Sequence, residues 1–349
     1  MNVDYIIVGC GLAGIAFCEH LIASNKSFVV FDNQSQQSSV VAGGLYNPVV
    51  LKRFTSVWKS KEQLEIALPM YQSIEEKLQI KVDYKIPVYR RFTSLEEQNN
   101  WFAASDNQLL SAHLSSKIIK NTNEYITADF GFGEVLHTGR IDTNTLISSY
   151  KKYLIDNNQL IEEAFNYTDL KFLNTGISYQ TISAKQIVFA EGYGLIRNPF
   201  FNYLPLKESK GELLTIHAPD LNIDYVLKSS VFILPLGNDL YHIGATYNWT
   251  DKTNNITQEG REELLNKLKT FLTCNFEIVD QVAGIRPTIK DRRPLVGKHP
   301  DRNNMYILNG LGTRGVMIGP YVAKQLFDHI ENNSELDPEI QINRFNSKS

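Results

Sequence analysis

The sequence predicts an α/β fold: a discontinuous, Rossmann-like dinucleotide-binding domain joined to a second α+β domain built on an antiparallel sheet. Three observations predict it. Gly9-Cys10-Gly11-Leu12-Ala13-Gly14 matches GxGxxG and lies between an apolar run and a helix-periodic stretch. Apolar strands suited to the same buried sheet return at Gln186–Ala190 and Met305–Leu308, after long excursions with hairpin signals. A second glycine-rich turn, Gly310 to Gly315, opens a helix near the far end.

In order, Tyr5 to Val8 reads as a buried parallel strand and Leu12 to Ala23 as a helix, apolar at Leu12, Ile15, Ala16, Leu21 and Ile22. Phe28 to Phe31 is the second strand, ending at Asp32. A loop follows from Ser35 to Pro48, then a helix from about Val57 to Leu78, interrupted or started near Pro69. Lys85–Phe92 and Val135–His137 read as antiparallel strands. The chain returns with a helix over Thr145–Ile155 and the strand Gln186–Ala190. The second excursion holds strands at Glu212–Ile216, Val231–Pro235 and Leu240–Thr246, a turn at Gly237-Asn238, and a helix over Gln258–Leu272. After Met305–Leu308 a final helix runs to about Ile330, and the last dozen polar residues are expected to fray. These changes of pattern divide the chain into a dinucleotide domain (1–80, 138–205, 284–349) and a second domain (81–137, 206–283).

Composition sets bounds. With 349 residues, 43% of them hydrophobic, the chain supports a sizeable core. A formal charge of -3 gives no case for nucleic acid or an anionic membrane as electrostatic partner. No apolar stretch approaches the roughly 18 residues that span a bilayer. Three cysteines without a CxxC spacing suggest neither a zinc site nor a disulfide framework. The seven histidines show no metal spacing. No signal peptide is visible ahead of the glycine loop, and the expected compartment is the cytoplasm.

The glycine loop carries the first chemistry. Gly9 permits the tight turn, Gly11 lets backbone approach a pyrophosphate, and Gly14 lets helix and strand pack closely. The helix N-terminus at Leu12 and Ala13 offers free N–H groups and a positive dipole end to phosphates. Asp32, with Asn33 after it, stands where an acid accepts hydrogen bonds from ribose hydroxyls. Interleaved segments and a second glycine loop suit a long cofactor contacted from both ends of the chain.

Taken together, the βαβ unit, Val41 to Pro48, Gly133-Glu134-Val135, Gly139-Arg140-Ile141-Asp142, Ile187 to Gly192, Gly244-Ala245-Thr246, Gly284-Ile285-Arg286-Pro287, Asp291…Pro294-Leu295-Val296-Gly297 and Gly310 to Gly315 recur in a characteristic order and spacing. In these the chain resembles the D-amino-acid-oxidase-like (glycine and sarcosine oxidase-like) FAD-dependent oxidoreductases, with similarity to the flavin domain of the bacterial tRNA methylaminomethyl-thiouridine biosynthesis enzyme. The resemblance implies non-covalent FAD and a substrate domain whose antiparallel sheet covers the flavin face. It implies that Ala42-Gly43-Gly44 lie along the flavin ring, that Ala190 and Gly192 contact the cofactor, and that Gly310, Gly312, Thr313, Arg314 and Gly315 present a helix N-terminus to its pyrimidine side. It also implies that Arg286 holds a substrate carboxylate, a task for which a planar guanidinium is suited. Arg314 and Tyr46 are further substrate candidates, and an ion pair between Arg286 and Asp291 is the structural alternative. Phe232 stands where the glycine oxidase pattern carries a carboxylate-binding tyrosine, which argues against glycine as substrate.

The expected activity is flavin-based oxidation of the C–N bond of a small amine or amino acid, by hydride transfer and imine hydrolysis. Positioning and electrostatics carry it, so no catalytic acid–base residue is named. One alternative is a stand-alone enzyme acting on a carboxymethylaminomethyl-uridine of tRNA, without the methyltransferase half of the bifunctional relatives. Its candidate phosphate contacts are Lys290, Arg292, Arg293 and Lys298. Others are a non-catalytic flavin- or nucleotide-binding module and a simple NAD dehydrogenase.

Overall fold

The computed structural model describes residues 1–173 and 175–345. Within them an eight-stranded sheet forms around Asn2–Val8. This strand pairs in parallel with Phe28–Phe31 on one side and Ile182–Phe189 on the other. Leu160–Ile161 extends the sheet beyond Phe28–Phe31, and Met305–Asn309 runs parallel to the end of Ile182–Phe189. The central stretches of these strands, residues 5–8, Phe28–Phe31 and residues 187–189, are apolar because both faces are covered. Tyr5, Ile7, Phe28, Val30 and Val188 point to one core, while Ile6, Val8, Val29, Phe31 and Phe189 point to the other. On the first face lie α1 (Leu12–Ala23), α2 (Ser60–Leu78), α4 (Thr143–Asp156) and α6 (Gly315–Asn332).

A second sheet of eight strands has the order Glu277–Arg286, Ser209–His217, Leu240–Gly244, Phe232–Gly237, Val226–Lys228, Val88–Arg91, Phe132–Val135, Leu114–Ile119. Every pairing is antiparallel except Val88–Arg91 with Val226–Lys228, which joins the two excursions of the chain edge to edge. Alternation again sorts the residues. Leu214, Ile216, Leu227, Ile233 and Ile243 pack under α5 (Gln258–Leu268), whereas Leu213, Lys228, Phe232, Gly244, Gly284 and Arg286 face the cavity between the sheets. The observed fold is therefore the mixed α/β class the sequence predicts.

Several local expectations change. The strands expected at Lys85–Phe92 and Val135–His137 are Val88–Arg91 and Phe132–Val135. α2 neither starts nor breaks at Pro69 but continues through it. Its buried residues Leu64, Ala67, Tyr71 and Ile74 straddle the proline, and their packing outweighs its helix penalty of roughly 3 kcal/mol. α3 (Leu95–Ser105) was not expected, although Ser94 caps it by accepting from Glu97 N at 3.1 Å, the first half of a capping box. The tail also departs from expectation. Ile340 and Ile342 are buried, Val296 N donates to Ile340 O, and Arg344 bonds to Asp291, while residues 346–349 lie outside the described residues.

Candidate active site

A cavity of about 950 Å³ runs between the two sheets. One wall is backbone. Gly9, with φ of +106°, turns the chain out of Asn2–Val8, and a Cβ there would lie 2.5 Å from Ala190 O. A Cβ on Gly14 would stand 2.0 Å from Gly9 O, so α1 reaches its place against the sheet only with glycine there. Asp32 ties the loop to the next strand: its carboxylate accepts from Cys10 N at 2.6 Å and Gln34 N at 2.6 Å, and meets Lys151 Nζ at 3.2 Å. α6 brings a second N-terminus to the same wall. Its Gly315 lies so close to α1 that a Cβ would meet Leu12 Cδ1 at 3.0 Å. Two helix N-termini opening on one cavity favour anionic groups within it.

This wall fits a dinucleotide. The cavity is long, Gly11 and Gly43 line it without a side chain of their own, and an acidic side chain stands at the strand end where a ribose would lie. Further along, Glu191 lines the cavity beneath the glycine turn. It accepts from the Tyr167 hydroxyl and from Asn198 Nδ2 at 2.7 Å, and burial raises its carboxyl to about 7.

The other wall is made of side chains from the second sheet. Arg286 ends the strand Glu277–Arg286 and donates through Nη1 to Thr246 O at 3.2 Å and Lys210 O at 3.3 Å. Its guanidinium lies over the Tyr247 ring at 4.4 Å. It passes through a slot made by Gly211, where a Cβ would fall 1.8 Å from Nη2. Burial lowers the pKa values of both Arg286 and Arg314. Asp291 bonds to Arg344 instead, so the Arg286–Asp291 pair does not form. Lys228 and Phe232 are paired residues of adjacent strands, and the ammonium stands 4.3 Å from the ring centroid. Burial, then Arg314 and Arg90, depress Lys228 to about 8. Phe232 in turn lies 3.5 Å from a Cβ position on Gly43.

Of the cofactor and substrate candidates named from the family motifs, all but three line this cavity. Gly14 acts beneath it by close approach. Gly310, with φ of +73°, shapes the turn behind it, where a Cβ would stand 2.9 Å from Ile289 Cγ1. Tyr46, a candidate substrate contact, is turned into the core, 2% exposed. Its hydroxyl donates to Asp83 Oδ1 at 2.8 Å and accepts from Lys85 Nζ at 2.9 Å, which satisfies it away from the cavity. Of the basic turn residues, Arg292 lines the cavity, Arg293 pairs with Glu339, and Lys298 donates to Asn303. Lys228 and Glu191 were not anticipated as site residues. Lys228 follows an apolar triplet, Tyr225-Val226-Leu227, too short to carry a strand signal.

Comparison with known proteins identifies the family. The family model "FAD dependent oxidoreductase" (DAO) matches residues 4–329. The chain is 21% identical over 349 residues to the tRNA 5-methylaminomethyl-2-thiouridine biosynthesis bifunctional protein of Marinobacter nauticus, covering 93% of this chain and 55% of that protein. It is 28% identical over 156 residues to the glycine oxidase of Bacillus subtilis, covering 43% and 42%. The matched regions thus span about half the length of these relatives. In structure it resembles glycine oxidase from Geobacillus kaustophilus, with a TM-score of 0.78 at 19% identity, over 96% of both chains.

Proposed function

Because the chain belongs to the family of FAD-dependent oxidoreductases, we propose that it binds FAD non-covalently and oxidises the C–N bond of a small amine bearing a carboxylate. The observation that carries this reading is Arg286: a deeply set guanidinium on the cavity wall, fixed by two carbonyls and an aromatic ring, with no carboxylate partner among the described residues. A bidentate grip on a substrate carboxylate completes its bonding and fixes the substrate's orientation.

In this reading residues 1–80, 138–205 and 284–349 hold the cofactor, and 81–137 and 206–283 supply the substrate wall. Gly9, Gly11, Leu12 and Ala13 receive the pyrophosphate, and Asp32 the ribose. Ala42, Gly43 and Gly44 lie along the ring, and Gly312, Thr313, Arg314 and Gly315 bring positive charge to its pyrimidine side. FAD, when bound there, supplies the acceptor for a hydride from carbon. Phe232, Leu213 and Leu45 give the pocket apolar sides that exclude water from the reacting carbon. The amine is taken up neutral, and the imine product hydrolyses in water, so no side-chain acid or base is required. Burial pushes the Cys10 thiol up to about 12, which removes the thiolate a covalent link would need.

The match to the bifunctional tRNA protein over 93% of the chain favours a second reading, in which the amine is the side chain of a wobble uridine in tRNA. Anaerobic mixing of the purified protein with a panel of N-methyl and N-carboxymethyl amines and amino acids tests the proposal. Bleaching of flavin bands by a free carboxylated amine supports it. Bleaching only by a tRNA carrying carboxymethylaminomethyl-uridine selects the second reading, and a protein that cannot be reconstituted with FAD contradicts both.

A further inference from the structure

Three cations line the cavity with no carboxylate partner among the described residues: Arg286 and Lys228 on the second sheet, and Arg314 at the start of α6. Their neighbour Arg90 differs, since Glu97 accepts from it at 2.5 Å. The proposed function gives work to two of the three. Arg286 takes the substrate carboxylate, and Arg314 sits with the α6 N-terminus beside the ring. Lys228 is left over.

Its position is built rather than incidental. In the strand Val226–Lys228, Leu227 points to the α5 core, so Lys228 must point to the cavity. There it stands over Phe232, which packs toward Gly43, and the charges that act on it are those of Arg314 and Arg90. A surface lysine could turn its head group into water, but this one is half-buried and lines the cavity. Holding an ammonium there among other cations is unfavourable unless an anion arrives with the ligand. The glycine wall, with its own helix N-termini, already accounts for the cofactor phosphates.

We propose that Lys228 anchors a second anion subsite, and that the amine substrate carries a second acidic group, a carboxylate or a phosphate, remote from the carboxylate on Arg286. The inference rests on the proposed amine chemistry and narrows its substrate class to dianionic amines. The spacing follows from the sheet. The strands bearing Arg286 and Lys228 are four steps apart, or about 19 Å between backbones, and both head groups lie over the strand next to their own, Arg286 at Gly211 and Lys228 over Phe232. The two acidic groups are therefore separated by several bonds, with the apolar side chains of Phe232 and Leu213 along the linker.

Two measurements on the holoenzyme test it. The first compares kcat/KM for N-methylglutamate and its neutral isostere N-methylglutamine. The wild-type protein should favour the acid by about 10- to 100-fold, the range of one charged hydrogen bond. Lys228→Met should collapse that ratio toward one, and Lys228→Arg should retain most of it. A wild-type ratio near one, or a Lys228→Met variant that slows both substrates equally, overturns the proposal. The second measurement needs no turnover: thermal shifts with glutarate, adipate and 3-phosphopropionate against butyrate, at fixed ionic strength. The dianions should raise Tm more than butyrate, and Lys228→Met should abolish the excess. The responses to the dicarboxylates and to 3-phosphopropionate tell carboxylate from phosphate. An absent excess, or one that survives in Lys228→Met, overturns the subsite. If no amine is oxidised while the excess is present and depends on Lys228, the amine chemistry fails and the anion subsite stands.

Discussion

The two walls of the cavity are built by different means. In the wall around α1 and α6 the closest approach is made by backbone: glycines and helix N-termini present N–H groups, and a single added methyl at Gly14 would meet a carbonyl at 2.0 Å. The facing wall is made of long side chains, Arg286 and Lys228 above all, carried on strands four apart in one sheet. Backbone recognition is rigid and tolerates no volume. Side-chain recognition is adjustable, because the guanidinium and ammonium sit at the ends of flexible stems. The first suits a cofactor that stays, the second a substrate that varies.

Substitutions on each wall should therefore fail differently. The largest effect is expected for Gly14→Ala. Its Cβ cannot be placed without moving α1 from the sheet, so FAD affinity should fall about 100-fold or more, read as lost flavin absorbance in the purified protein. Gly211→Ala attacks the other wall. Its Cβ takes the space of the Arg286 guanidinium, so KM for a carboxylated amine should rise about 10- to 100-fold while the flavin stays bound. Equal loss of flavin in both variants would break the distinction.

Glu191 sharpens the comparison, because it is a buried side chain on the glycine side. Burial raises its carboxyl from 4.5 to about 7, so the native state holds an extra proton between those values. The stability tied to that proton is present below about pH 4.5 and is lost as pH rises through 7. The loss is on the order of 3 kcal/mol. Denaturant unfolding of the apoprotein at pH 5 and pH 8 should show this difference, and Glu191→Gln should flatten it. The smallest effect belongs to Tyr46→Phe. It removes hydrogen bonds to Asp83 and Lys85, costs about 1 kcal/mol of stability, and leaves KM unchanged, because the ring does not reach the cavity.

The same division explains what the sequence disclosed. The backbone wall is local: Gly9 to Gly14 with Asp32, and Gly310 to Gly315, are short windows in which spacing implies geometry. Arg286 was legible because it lies in a glycine- and proline-flanked motif of the recognised family. Lys228 was not, since its place depends on strand pairing: that of Val88–Arg91 with Val226–Lys228, far apart in sequence, and the hairpin that sets Lys228 opposite Phe232. Tyr46 misled because it sits next to the true cavity loop, Ala42 to Leu45, and the alternation in Leu45–Tyr46 that turns one residue outward and the next inward appears only in the fold. Pro69 misled for a related reason, as propensity yielded to the packing of α2 against α6.

The central claim is that Arg286 binds the carboxylate of an amine that FAD oxidises. The direct test is an anaerobic titration of flavin bleaching by a carboxylated amine in wild-type protein and in Arg286→Ala. The account predicts that both proteins carry flavin and that half-bleaching in the variant needs about 100-fold more amine, as expected for a lost bidentate charged contact. Identical titrations in the two proteins would contradict it.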